Sequence, residues 1–151
     1  KPFTSGDFVQ IAAESGTVEE IGMSYTKLMT PDNKVVYIPN SAVVSADIVN
    51  FTVSGTRRVD FVFSASYNAP TQAVIQALLE AAKVPGVLTD PAPFASVSKY
   101  AESTIEYVLR VWTVADTYWD VNFAINEKIR ETFKDAGVEM SYPHLNVHIE
   151  K

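Results

Sequence analysis

The chain has 151 residues, 47% of them hydrophobic and 20% charged, enough apolar material for a packed core and too much for a disordered segment. Its formal net charge is −6, divided as −3 on each side of Gly55, so neither half offers the clustered Lys and Arg that phosphate backbones require. No cysteine is present, which removes disulfide and thiolate chemistry, and no apolar run approaches the roughly 20 residues that a membrane helix needs.

The first third reads as short strands. Asp7–Ile11 alternates apolar with polar, Gly16–Ile21 is a second short run, and Met23–Thr30 is a third. Pro31-Asp32-Asn33-Lys34 is a turn, because Pro presets φ and Asp and Asn tolerate turn geometry. Val35–Ile38 is a fourth strand, stopped by Pro39-Asn40, and Asp47–Phe51 is a fifth. Five short strands with closely spaced turns predict a small barrel. Ser54-Gly55 is the expected joint between a first domain, 1–55, and a second, 56–151.

Beyond the joint the pattern changes. Arg58–Ala65 alternates, with Val59, Phe61, Phe63 and Ala65 on one face. Pro70 opens a helix whose apolar face is Val74, Leu78 and Ala82, and Pro85-Gly86 ends it. Phe94–Lys99 and Thr104–Val114 read as strands. Asp116 is placed to cap a second helix with the stripe Tyr118, Val121, Ile125, Ile129 and Phe133, closed by Gly137. Leu145–Ile149 is a last strand. Strand, helix, strand, strand, helix, strand is the ferredoxin-like βαββαβ order, so the chain as a whole is expected to be α+β.

A search for chemistry returns ordinary structural roles. His144 and His148 would lie roughly 13 Å apart along a strand, too far to share a metal. Glu19 and Glu20 are neighbours that a strand points to opposite faces; Asp116 and Asp120 suit a helix start. No glycine-rich phosphate loop precedes a helix. Phe61, Phe63, Tyr107 and Trp112 could make a base-stacking platform on the second domain's sheet, but the Gly-and-aromatic signature of an RNA-binding sheet is missing from Glu106–Trp112. The expectation is therefore a protein that is not an enzyme, with no cofactor, no metal and no nucleic-acid partner. Arg57-Arg58 is the one paired basic site, and it sits at the joint.

Several stretches, taken in order, resemble the small-conductance mechanosensitive (MscS-like) channel family. They are Lys1-Pro2-Phe3-Thr4-Ser5-Gly6-Asp7, Gly16–Ile21, the run Thr30–Ser41 containing Ile38-Pro39-Asn40-Ser41, Arg57-Arg58, Tyr118-Trp119-Asp120-Val121, and Tyr142–His148. His144 departs from the family's usual Gln. The resemblance implies a homoheptameric channel of the inner (cytoplasmic) membrane that opens under tension and passes ions and small solutes during osmotic shock. Residues 1–55 would then be an Sm-like β domain below the pore helix. Residues 56–151 would be the wall of a cytoplasmic cage with side portals. Pro39, Asn40 and Ser41 would contact the pore helix, and Arg57, Arg58 and Asp60 would lie near the portals. The chain, beginning at Lys1, reads as a piece whose membrane segments lie elsewhere; the isolated piece is expected to be monomeric or weakly associated. The competing expectation is a soluble regulatory module that binds a small ligand or RNA.

Overall fold

The computed structural model describes residues 2–139. The chain divides into two compact units, Lys1–Arg57 and Arg58–Lys151, which are taken in turn.

The first unit is a five-stranded antiparallel sheet with a short helix. β1 (Phe8–Ile11) turns through Ala12-Ala13 into β2 (Glu14–Ile21). Ala12 takes φ +53°, a left-handed conformation usually left to Gly or Asn. That is why this hairpin carries no sequence signal and why β2 begins earlier than the Gly16 expected from composition. β3 (Tyr25–Met29) pairs with β2 across a bulge at Glu19, and both Glu19 and Glu20 are exposed. Gly16 is fixed by crowding: a Cβ there would stand 2.7 Å from the Met29 carbonyl oxygen. β4 (Val35–Pro39) follows the expected turn, in which Asn33 supplies φ +68°. The Thr30 hydroxyl donates to Asp32 at 2.6 Å and accepts from the Lys34 N–H at 2.8 Å, so the turn's backbone is satisfied by its own side chains.

Pro39-Asn40 does not simply end a strand. It begins α1 (Asn40–Ser45), too short to show helical periodicity, anchored by the buried Val43. β5 (Ile48–Asn50) then returns to pair with β1. The sheet order is β4-β3-β2-β1-β5. The expected number of strands is present, but β4 and β5 remain separate edges: the sheet is open and not a closed barrel. Its core is small, made of Phe3, Val9, Ile11, Val18, Leu28 and Val43.

The second unit packs two helices on a sheet of order β6-β8-β7, formed by β6 (Thr56–Ser66), β7 (Phe94–Tyr100) and β8 (Thr104–Val114). Alternation along β8 buries Ile105, Tyr107, Leu109, Val111 and Thr113 on one face. Against that face lie Val74, Ala77, Leu78 and Ala81 of α2 (Thr71–Ala81) and Val121, Ile125, Ile129 and Phe133 of α3 (Tyr118–Asp135), in one continuous apolar cluster. Pro70 stands at the N-cap, and Thr71 is the first helical residue. Asp116 does not cap α3. It sits exposed in a 3-10 turn (Ala115–Thr117), and Thr117 takes the cap position, because β8 delivers the chain through that extra turn. Gly137 does close the helix: its N–H bonds to the Lys134 carbonyl and that of Val138 to the Phe133 carbonyl at 2.8 Å, the paired pattern that a left-handed residue makes possible. The expected strand Leu145–Ile149, and with it His144 and His148, lies outside the described residues.

Candidate functional site

Of Pro39, Asn40 and Ser41, Asn40 has the richest geometry. Its Oδ1 accepts from the buried Thr26 hydroxyl at 2.8 Å, its Nδ2 donates to the Gly22 carbonyl at 2.9 Å, and its backbone N–H donates to the Ser24 carbonyl at 2.8 Å. One side chain therefore pins the β2–β3 turn to the start of α1. Pro39 precedes it at the N-cap and Ser41 follows, exposed. Thr26 was invisible in the sequence as a partner, because a buried threonine in a strand reads only as a strand former.

Beside Asn40 opens a groove of about 460 Å³ lined by Pro2, Phe3, Ile21, Thr26, Val43, Val44 and Ile48. Asn40 and Thr26 are its polar members and the rest are apolar. Met23, at the tip of the turn that Asn40 holds, is fully exposed, and Val44 is 83% exposed. Val44 thus lines an apolar depression and still stands largely in solvent, a combination that marks a contact surface.

The second group behaves differently. Alternation along β6 separates Arg57 from Arg58. The Arg57 guanidinium lies 4.6 Å from the Phe51 ring centroid, a cation–π distance. Arg58 forks onto Asp60, Nε to Oδ1 at 2.7 Å and Nη2 to Oδ2 at 3.0 Å. The adjacent arginines therefore have different partners, and Arg58 and Asp60 form an exposed ion pair.

A third cluster went unrecognised in the sequence. Asp7 accepts hydrogen bonds from the Thr4 N–H at 3.0 Å, Asn50 Nδ2 at 3.0 Å and the Thr52 hydroxyl at 3.2 Å. The Thr4 bond first, then the Asn50 and Thr52 bonds, hold its carboxyl below the ordinary aspartate value of 3.8. Asp32 is lowered likewise, by the Thr30 hydroxyl and then Lys34.

The aromatic platform is not assembled. Phe61 and Tyr107 are buried beneath the helices and Phe63 packs toward Phe133, while Trp112 belongs to the other face of β8. Among the described residues no group of three or more His, Cys, Asp or Glu is placed to hold a metal, and no helix is long and apolar enough to cross a membrane.

The described residues thus form an open antiparallel sheet with an apolar groove and a separate helix-backed sheet. Comparison with known proteins gives the family. The pattern "Mechanosensitive ion channel, beta-domain" matches residues 1–53, and "Mechanosensitive ion channel MscS, C-terminal" matches residues 58–140, more than half of the chain. The chain belongs to the MscS family of mechanosensitive ion channels, a channel family and not an enzyme class. Its relatives include a small-conductance mechanosensitive channel of Edwardsiella ictaluri, 29% identical over 99% of this chain and 52% of the relative. Another is the channel MscMJ of Methanocaldococcus jannaschii, 32% identical over 100% of this chain and 45% of the relative. The chain thus spans about half the length of these relatives. The fold superposes on closed-state Helicobacter pylori MscS with a TM-score of 0.90 at 22% identity, covering 99% of this chain and 60% of that one.

Proposed function

We propose that this chain is the cytoplasmic part of a mechanosensitive channel subunit. The family patterns that match both units in order support the channel assignment. The groove beside Asn40 carries the local reading: apart from Asn40 and Thr26 its lining is apolar, as a docked helix face requires. The first unit serves as an Sm-like β domain, in an open form, below the pore helix, with Pro39, Asn40 and Ser41 at the contact. The second unit serves as a ferredoxin-like wall of a cage, a reading supported by its β6-β8-β7 order, in which the first and third strands of the unit are neighbours.

The subunit works as a homo-oligomer, a heptamer in the intact channel, in the inner membrane with this region on the cytoplasmic side. The edges β4 and β5 favour assembly, since uncovered strand edges seek partners. Arg57, Arg58 and Asp60 flank the solute path, and ions and small solutes are what passes. Because Arg58 is paired with Asp60, removing Asp60 should raise anion preference and removing Arg58 should lower it.

The test is patch-clamp recording of the full-length subunit in liposomes under stepped suction. Tension-gated current, with inactivation altered in Asn40→Ala, is the expected result. Absence of current from correctly inserted protein overturns the reading. Current with unaltered inactivation overturns the role of Asn40 alone.

A further inference from the structure

The chain runs into the first unit through Pro2–Asp7 and leaves it through Phe51–Arg57. The sheet order sets the first strand of this unit against its last, antiparallel, with Val9 opposite Asn50 and Ile11 opposite Ile48. The start of β1 therefore lies beside the end of β5, and both connections depart from the same end of that strand pair. Interstrand hydrogen bonds in an antiparallel pair run perpendicular to the strands. A pull across the two connections consequently loads the terminal bond first and peels the pair one bond at a time. It does not shear all the bonds together. An element that must transmit force would be weak in this geometry unless the peel point were reinforced.

The Asp7 cluster sits at that point. Asp7 binds the Thr4 N–H on the incoming side and Asn50 and Thr52 on the outgoing side. Asn50 Nδ2 also donates to the Pro2 carbonyl at 3.0 Å, and the Thr52 hydroxyl accepts from the Phe8 N–H at 3.2 Å. Asn50 Oδ1 gathers the Thr52 and Val53 N–H groups at 3.0 Å, which fixes the outgoing turn. The Phe8 and Phe51 rings, 5.6 Å apart, close the apolar side of the same junction. Several of these bonds have a charged acceptor, the stronger class.

We propose that Asp7, Asn50 and Thr52 form a tension clamp. It ties the incoming and outgoing connections of the first unit together, so that a pull passes between them without opening the β1–β5 pair. The proposal rests on the channel reading for the source of the pull, but the clamp itself does not depend on it.

Because the chain has no cysteine, pairs of introduced cysteines give unambiguous attachment points for single-molecule force measurements on the 151-residue chain. Handles at Lys1→Cys and Thr56→Cys load the clamped end; handles at Ala13→Cys and Asp47→Cys load the opposite end of the same strand pair. In the first geometry Asp7→Ala with Asn50→Ala should unfold about tenfold faster at constant force, the loss expected for charge-assisted bonds. In the second geometry the acceleration should be no larger than that seen without force. Asp7→Asn replaces Asp7→Ala if the double variant fails to fold, and circular dichroism checks this. Equal acceleration in both geometries overturns the proposal and leaves these residues as ordinary structural bonds. A direction-dependent effect in a chain whose full-length form passes no tension-gated current would leave the clamp standing and sink the channel reading.

Discussion

The two units solve the problem of stability by different means. Among the described residues, the second buries a continuous cluster of seventeen between two helices and a sheet. The first buries six and supplements them with side-chain hydrogen bonds at its turns and ends: Thr30 with Asp32, Asn40 with Thr26 and Gly22, Asp7 with Asn50 and Thr52. Apolar burial is non-directional and scales with area, so the second unit rests on the extent of its core. Hydrogen bonds are directional and local, so the first unit is specified bond by bond. The first unit gains local definition from that arrangement, at the cost of depth in its core.

Truncations in the two cores are the largest expected effects and the first way to break this contrast. Leu109→Ala in the second unit should cost about 2–5 kcal/mol. Both tryptophans, Trp112 and Trp119, lie in that unit, so their fluorescence reports its unfolding. Leu28→Ala, equally buried, should fall at the lower end of the same range if neighbours in the thinner core can collapse into the void. Amide exchange across β2 and β3 measures it, and a larger loss at Leu28 than at Leu109 would reverse the comparison.

Next in size is Gly16→Ala. Its Cβ would press on the Met29 carbonyl oxygen, so the β2–β3 ladder must shift, at about 1–3 kcal/mol; the denaturant midpoint is the readout. Two changes should instead stabilise. Ala12→Gly relieves a left-handed alanine and should gain about 1 kcal/mol. Tyr107→Phe removes a fully buried hydroxyl that has no partner among the described residues, and should be neutral or gain up to about 1 kcal/mol by thermal melting.

The smallest effect concerns acid. The folded-state values of Asp7 and Asp32 are depressed, so each contributes stability that is complete above the ordinary value of 3.8 and is lost as pH falls through the lower folded value. The first unit should keep its melting temperature from neutrality down to about pH 5 and lose part of it only below about pH 4. Asp7→Asn should flatten part of that loss. A decline that begins near pH 6 would point to other groups.

What the sequence disclosed follows the same division. Periodic apolar spacing drew the second unit closely: Thr104–Val114 as a strand, Val121, Ile125, Ile129 and Phe133 as the buried stripe, Gly137 as the cap. Such patterns are visible because a large core imposes its period on whole elements. In the first unit the turn at Asn33 was legible, since turn chemistry is local. The Ala12 hairpin was not, because its residues carry no turn signature, and α1 was too short to show a period. Asn40 could be singled out by motif, but Thr26 and Gly22, the partners that fix it, come from the fold. The Asp7 cluster joins residues more than forty positions apart, and no local rule reaches that far.

The turn held by Asn40 has one further consequence. Met23 stands fully in solvent at its tip, next to Gly22, whose carbonyl Asn40 holds, and close in sequence to Ile21, which lines the groove. A thioether so placed is a built-in chemical reporter: mild peroxide should convert it to the sulfoxide before the half-buried Met29. Any protection of the turn can then be followed by how far that sulfur is shielded, with mass spectrometry in place of a label.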